Sequence, residues 1–296
     1  MAYYFRHKAI NSGSVLWGQS DILYRYLNIL IPNYYVFIAI ISLFYMVTIH
    51  WLIKNNVKKE QYWFALLLLL INPYLFLIHL SSLRQTLALC LFVFAVNSAI
   101  KRKTMMYVLF SLLAVGMHSS AVILLPLYFI FTTKKLNKRV VFISYVSLVA
   151  LLTTPLFDII AYKTLEYMPA HYTYIYFEDP VQNSLRSVFI SSFFFFLVSF
   201  NVHRLEGKEV VYGKLSLIGT MLPLLASKVA MISRINMYFS LFLIVTIPHI
   251  FSNIEHKVYR QILFISMITI YILRYYSFFT TPLWESFVRY GTILGK

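Results

Sequence analysis

Apolar residues along this chain gather in long runs, and short basic loops separate the runs. A membrane-spanning helix needs about 20 mostly apolar residues, and such runs occur here repeatedly. We therefore predict an all-α, polytopic integral membrane protein with about ten transmembrane or re-entrant helices. The predicted membrane segments are 33–53, 62–80, 85–100, 105–117, 119–132, 140–157, 187–202, 215–232, 235–252 and 262–279.

The segment 104–133 decides the predicted topology, because it is too long for one simple span and too short for two full ones. It is either one tilted span or a hairpin with its tip at Gly116-Met117-His118-Ser119. The hairpin gathers more Lys and Arg on one side, as the positive-inside rule requires. We therefore predict a hairpin tip below the membrane surface and both termini on the non-cytoplasmic side. The loops predicted to share the cytoplasmic side are 54–61, 101–103, 134–139, 203–214 and 253–261.

Two stretches depart from this pattern within what we interpret as a single membrane domain, 1–296. Residues 1–32 are polar, lack the apolar core of a signal peptide and are expected to be interfacial. The longest loop, 158–186, is expected to be large and non-cytoplasmic, with acidic residues between tyrosines. Long loops often carry function, and aromatic faces beside acids suit sugar rings. An interfacial tyrosine belt would explain the same pattern.

The composition excludes several classes of protein. The chain is 60% hydrophobic and 12% charged, whereas about a quarter of the residues in a soluble domain are charged. The net charge of +16 does not indicate a nucleic-acid partner, because the basic residues lie in short loops between apolar runs. With a single cysteine, Cys90, no disulfide framework is possible. The sequence has no Cys/His cluster, phosphate-binding glycine loop or Asp-x-Asp pair, so we expect no metal, cofactor or nucleotide hydrolysis.

Basic side chains at the predicted outer helix ends are candidates for substrate binding. Ionisable groups at membrane depth are costly, so each one needs an explanation. Arg84, Arg186 and Arg234 all fall at such ends, and Lys228 shortly precedes Arg234. Arginine stays charged and offers a planar fork of donors that fits phosphate oxygens. Together they indicate a site for a diphosphate or a charged glycan, although any one of them could simply anchor a helix at the headgroups.

A proton-transferring group is the second chemical need. His118, flanked by serines at the predicted hairpin tip, could bind a phosphate or move a proton, or it could be a packing residue. Glu178 and Asp179 are the preferred candidate bases because they adjoin Arg186. The full set of candidate acidic residues is Asp158, Glu166, Glu178 and Asp179.

Several short motifs occur in a familiar order. They are 82–88 (SLRQTLA), the basic loop 101–103, 113–121 (LAVGMHSSA) followed by Pro126, and 234–239 (RINMYF). This order resembles the EpsG family of bacterial exopolysaccharide proteins, which belongs with the Wzy-type O-antigen and capsule polymerases. The chain departs from the family in opening with a polar stretch instead of a helix and a Gly-Thr-Asp-like loop. Either Gln19-Ser20-Asp21 is a diverged remnant or the start lies upstream, so Asp21 receives no role.

The resemblance implies a glycosyltransferase of the bacterial inner membrane, without cofactor. Such polymerases join oligosaccharide repeat units carried on undecaprenyl diphosphate, at the outer face of that membrane. The growing chain leaves its lipid diphosphate and passes to the next unit. Arg84 and Arg234, helped by Arg186 and Lys228, would bind the diphosphate or glycan, and His118 would complete the pocket. The expected partners are the lipid-linked oligosaccharide and membrane lipids, with a chain-length regulator and a flippase as neighbours by family.

Other functions fit the same residues. A flippase or transporter of lipid-linked sugars would suit interrupted helices, although no internal repeat is visible. A membrane acyltransferase modifying surface sugars would use an intramembrane histidine such as His118. A structural subunit would use its charges only as anchors. Loss of a flippase traps repeat units inside the cell, loss of a polymerase displays single units outside, and loss of an acyltransferase leaves polymer length intact.

Overall fold

The computed structural model describes residues 2–13, 21–131, 136–166, 185–229, 232–281 and 287. All regular structure within these ranges is helical, without a strand. Three segments are 3₁₀-helical: Lys59–Gln61, Ser119–Ile130 and Val202–Arg204. The α-helices are α1 (Ala2–Asn11), α2 (Ile22–Leu30), α3 (Tyr34–Asn56), α4 (Tyr62–Ile71), α5 (Leu77–Ser81), α6 (Leu83–Ile100), α7 (Thr104–Met117), α8 (Lys138–Thr153), α9 (Pro155–Glu166), α10 (Leu185–Asn201), α11 (Lys208–Ala226), α12 (Ile232–Ser240), α13 (Leu243–Ser252) and α14 (Lys257–Thr280).

Four helices are long and apolar enough to cross a membrane: α3, α6, α11 and α14. The pair α12 and α13 makes a fifth candidate, bent by 44° between its halves. Further apolar helices in the described part of the chain are shorter, at Thr104–Met117, Ser119–Ile130 and Val188–Arg204. The protein is therefore an all-helical membrane protein, as predicted. The expected total of about ten membrane segments stays a prediction.

The predicted segment 62–80 is not one helix, so that part of the prediction is wrong. α4 ends at Ile71 and α5 begins at Leu77. Between them Asn72 has φ −102° and ψ 101°, the extended conformation that a following proline, here Pro73, favours. Hydropathy did not predict this break because the residues on both sides of Asn72-Pro73 are apolar.

The predicted hairpin is confirmed over the described residues 104–131, while the depth of its tip in the membrane stays a prediction. The Tyr107 hydroxyl donates to the carbonyl of Leu124, and the hydroxyls of Thr104 and Tyr128 lie 2.5 Å apart, so the two arms run antiparallel. The second arm, Ser119–Ile130, is a 3₁₀-helix containing Pro126, which has no N–H for an α-helical bond. At the tip His118 is extended, with φ −156° and ψ 119°.

α6 forms the centre of the helix assembly. It packs against α3, α7 and α12, and its side chains are buried on most sides. A helix that is apolar all round is stable only when neighbours surround it, which explains this position. Because Arg84 is the second residue of α6, its side chain lies where several helix ends meet.

The predicted cytoplasmic loops meet at one end of the molecule. Lys208 Nζ donates to the carbonyl of Asn55 at 2.6 Å, and Arg204 Nη1 donates to the carbonyl of Asn253 at 2.8 Å. His249 Nδ1 lies 2.9 Å from a carboxylate oxygen of Glu209. These contacts confirm that three predicted loops share one end, while the cytoplasmic identity of that end stays a prediction.

The described helices of the N-terminal stretch 1–32, which was expected to be interfacial, pack on the rest of the protein. His7 Nε2 lies 3.0 Å from the carbonyl oxygen of Ile31, which joins α1 to the end of α2. A Cβ at Gly116 would lie 2.5 Å from Leu23 Cδ1, so α2 lies closely against α7. This contact brings the residue that precedes α2 to the hairpin tip.

A second close approach joins α11 to α12. A Cβ at Gly219 would lie 2.8 Å from the backbone nitrogen of Ser240, and backbone cannot move aside as a side-chain tip can. We expect Gly219→Ala to destabilise the protein by about 1–3 kcal/mol, as overpacking does. Thermal unfolding of the purified protein in detergent measures this.

Gly213→Ala is the matched control in the same helix. Its added Cβ would lie 2.5 Å from Leu205 Cδ1, the end of a flexible side chain, and 3.8 Å from Val202 Cγ2, which is ordinary van der Waals contact. Alanine also favours a helix over glycine by about 1 kcal/mol. Equal melting temperatures for the two variants would contradict the close backbone packing at Gly219.

Candidate functional site

A polar cavity lies where α6, α7 and α12 meet. Its volume is about 140 Å³, and the residues that line it are Ser82, Arg84, Gln85, His118 and Arg234. Three of the residues predicted to bind or react with substrate, Arg84, His118 and Arg234, therefore share one cavity. They come from positions far apart in the chain, and the hairpin tip supplies the histidine.

The Asp21 carboxylate is the centre of the hydrogen-bond network beside the cavity. Arg84 Nη1 donates to Asp21 Oδ2 at 2.8 Å, and His118 Nδ1 lies 3.3 Å from the same oxygen. The backbone N–H of Ser119 donates to Asp21 Oδ1 at 2.9 Å. Ser119 opens a 3₁₀-helix, and free N–H groups at helix starts favour anions. One acid thus binds the start of α6 and the hairpin tip together.

The environment keeps Asp21 charged. Burial by itself would raise its pKa, but the hydrogen bond from His118, the Ser119 N–H and the positive charge of Arg84 lower the pKa to about 2. A carboxyl whose folded-state pKa is lowered stabilises the fold above its ordinary value of 3.8, and that contribution is lost as the pH falls through about 2. Asp21 is therefore a fixed anion at every physiological pH.

Arg84 needs this anion. It lies in the first turn of α6, where the helix dipole disfavours a positive charge. Its side chain is only 22% exposed, and its guanidinium lies 5.9 Å from the centre of the Tyr24 ring. The carboxylate and the ring face offset the unfavourable position.

Arg234 forms the opposite wall of the cavity. The Gln85 amide donates to the Arg234 carbonyl oxygen, which fixes the start of α12 against α6. One turn further along α12, the Tyr238 hydroxyl lies 3.1 Å from Ser120 Oγ and joins α12 to the hairpin. The Arg234 side chain is exposed and forms no ion pair within the described ranges. It is available to an anionic ligand.

Two other predicted site residues, Lys228 and Asp158, do not line this cavity. Lys228 Nζ pairs with Asp158 Oδ1 at 3.2 Å, in a contact between the end of α11 and α9. Glu178 and Asp179 lie outside the described residues, as do the side chains of Glu166 and Arg186, whose backbones belong to α9 and α10. Their candidate roles as base or phosphate ligand stay predictions.

Sequence reasoning missed three residues of the site, namely Asp21, Ser82 and Gln85. Asp21 received no role because it follows a polar stretch that departs from the family pattern. A signal was available, since it is the only acidic residue among the first 30 and immediately precedes a helix. Gln85 lies within the quoted motif 82–88, but its contact with Arg234 needed the folded chain.

The arrangement can bind an anion and move a proton at one place. Arg234 is a cation without an ion-pair partner among the described residues, while the Asp21 contact fixes one nitrogen of His118 and leaves the other for chemistry. No group of three or more His, Cys, Asp or Glu side chains could hold a metal ion in the part of the chain that the structure describes.

The model of the EpsG family matches residues 2–292 of the chain. Neither the curated proteins nor the solved structures contain a match to this sequence. The family match covers every residue of the polar cavity and Asp21.

The ion pair between Asp21 and Arg84 is expected to be energetically coupled. In a double-mutant cycle with Asp21→Asn and Arg84→Met, we expect a coupling of about 1–3 kcal/mol, because Asp21 is only 8% exposed. Denaturant unfolding in detergent provides the four free energies.

The pair of Lys228 and Asp158 is the control cycle, using Lys228→Met and Asp158→Asn. These side chains are 38% and 47% exposed, so we expect a coupling below about 1 kcal/mol. A coupling at Asp21 and Arg84 no larger than this control would show that the buried network does not stabilise the site.

Proposed function

Because the chain belongs to the EpsG family, we propose that it is a Wzy-type polymerase of a bacterial surface polysaccharide such as an O-antigen, capsule or exopolysaccharide. It acts at the outer face of the inner membrane and transfers a glycan chain from undecaprenyl diphosphate to a lipid-linked repeat unit. The observation that carries the proposal is the polar cavity in which Arg84, His118 and Arg234 converge at helix ends. Such a site suits an anionic leaving group beside a proton acceptor.

The leaving diphosphate requires positive charge. The bond between the anomeric carbon of the glycan and the diphosphate oxygen breaks, and its electron pair stays on that oxygen. Arg234 has no ion-pair partner within the described residues and lines the cavity, so it is the group that would stabilise the new charge. Arg84 adds positive potential but is held by Asp21.

The acceptor hydroxyl must lose a proton as the new glycosidic bond forms. His118 is the proposed base, because its Nδ1 faces Asp21 and its Nε2 then carries the free lone pair. Asp21 acts through His118 and is a positioning residue. Asp158, Glu166, Glu178 and Asp179 are the alternative bases, and Asp158 is already paired with Lys228.

Loss of the cavity side chains should abolish polymer formation. We expect Arg234→Ala, Arg84→Ala and His118→Ala each to lower polymer yield by at least about 100-fold, in line with loss of a charge-stabilising or proton-transferring group. The test is complementation of a source strain lacking the gene, with surface polysaccharide separated on a gel and membrane levels checked by immunoblot.

Arg260→Ala and His50→Ala are the matched controls, since both side chains are exposed and lie outside the cavity. A ladder with the controls and single repeat units with the cavity variants supports the polymerase. Units trapped inside the cell would instead indicate a flippase. Unchanged polymer length without the gene would sink the proposal and favour an acyltransferase or a structural subunit.

Asp21 should matter through the orientation of His118. Asp21→Asn is expected to lower the turnover number by about 10²–10⁴-fold, as loss of the orienting acid does in other histidine-based sites. Because the pKa of Asp21 is about 2, the loss should be the same at every pH above about 4. Steady-state assay of purified protein in lipid discs over pH measures this, with Asp21→Glu expected to restore part of the rate. A larger KM at unchanged turnover would contradict the positioning role.

A further inference from the structure

A second cavity, which is lined mainly by apolar side chains, lies between α8 and α11. We call it the apolar groove. It has a volume of about 440 Å³, within the range of about 300–1,000 Å³ that is usual for ligand sites. Among the described residues that line it, Ser144 and Ser147 have the only polar side chains. Its apolar lining consists of Leu148, Leu151, Ile218, Met221, Leu222 and Leu225.

Each wall of this groove is one stripe of a helix. On α8 the lining residues begin at Ser144 and recur at helical spacing to Leu151, and on α11 they run in the same way from Ile218 to Leu225. Residues spaced by three and four positions share one face of a helix. The two stripes face each other along about 10 Å without filling the space between them. The shape suits an extended hydrocarbon chain.

The two walls run parallel and are tied at one end. Lys228, three residues beyond Leu225, pairs with Asp158, seven residues beyond Leu151. Both side chains of the pair are more than one-third exposed, so the ion pair is weak. The Lys228 ammonium is therefore accessible to a competing anion. An ion pair whose ammonium group a phosphate could take over from Asp158 thus lies at the end of the apolar groove.

That end of the groove is level with the polar cavity. α11 and α12 are antiparallel and touch at Gly219 and Ser240. Leu225 lies six residues beyond that contact on α11, and Arg234 lies six residues before it on α12. At about 1.5 Å per residue both are about 9 Å from the contact, so they lie at the same depth on neighbouring helices.

We propose that this groove binds the polyprenyl chain of a lipid phosphate, with the phosphates at the level of Lys228 and Arg234. The assignment deepens the proposed function, since it supplies the site for the lipid part of the donor. The apolar stripes exclude a sugar or an extended peptide, because their polar groups would be left without hydrogen-bond partners. The exposed Arg234 and the accessible Lys228 ammonium at this level favour a phosphorylated chain over an uncharged one.

Photo-crosslinking tests the proposal without requiring polymerisation. The full-length protein in lipid discs is irradiated with a polyprenyl phosphate that carries a diazirine on its chain, and crosslinks are mapped by mass spectrometry. We expect crosslinks on the α8 and α11 stripes, with undecaprenyl phosphate competing for them. Leu148→Trp and Leu222→Trp, which fill the groove, should weaken labelling by about tenfold through lost apolar contact.

Ile143→Trp is the matched control, because Ile143 is 60% exposed on α8 and lies outside the groove. It should label like the wild type. Equal competition by a diacyl phosphatidic acid would overturn the proposal and assign the groove to ordinary membrane lipid, as would labelling that the filling variants leave unchanged. If the polymerase proposal fails while selective labelling persists, the site remains one for polyprenyl phosphate.

Discussion

The buried carboxylate of Asp21 is the interaction on which the rest of the site depends. A charged arginine at the start of a central membrane helix and a hairpin tip that exposes backbone N–H groups are each unfavourable alone. The same carboxylate accepts from Arg84, from the Ser119 N–H and from His118. Each of these groups offsets part of the free-energy cost of burying the Asp21 carboxylate, and the carboxylate offsets part of the cost of burying them. Because α2 carries this acid, the N-terminal helices belong to the site.

The hairpin places a polar group where a continuous helix could not. α7 ends at Met117, and the extended His118 turns the chain into a 3₁₀ arm that Pro126 keeps from becoming α-helical. Non-helical backbone at membrane depth is tolerated only when protein or a wet cavity covers it. Here α2 covers the tip from one side, and α12 contacts the hairpin through Tyr238 and Ser120.

Much of this could be predicted from the sequence, for identifiable reasons. Long apolar runs fix a membrane protein, and the asymmetry of basic loops fixes the hairpin at 104–133, because both depend on composition over many residues. The grouping of Arg84, His118 and Arg234 followed from the family motifs. The break at Asn72-Pro73 was missed because a local backbone preference leaves no mark on average hydropathy. The start of α11 at Lys208 was missed because its first turn is charged and partly exposed, which lowers the average hydropathy there. Asp21 was missed because its partners lie 63 and 97 positions away in the chain.

The size of the polar cavity has a consequence for substrate choice. Its 140 Å³ correspond to room for about ten water molecules, enough for a phosphate group with its hydrogen bonds but not for an oligosaccharide. In the proposed polymerase reaction, any sugars beyond the reacting linkage must therefore extend outside the walls that Arg84, His118 and Arg234 form. Recognition of a particular glycan and bond formation are thereby spatially separate tasks. A chain built this way can change the sugars it accepts by altering peripheral residues while the reactive centre stays constant.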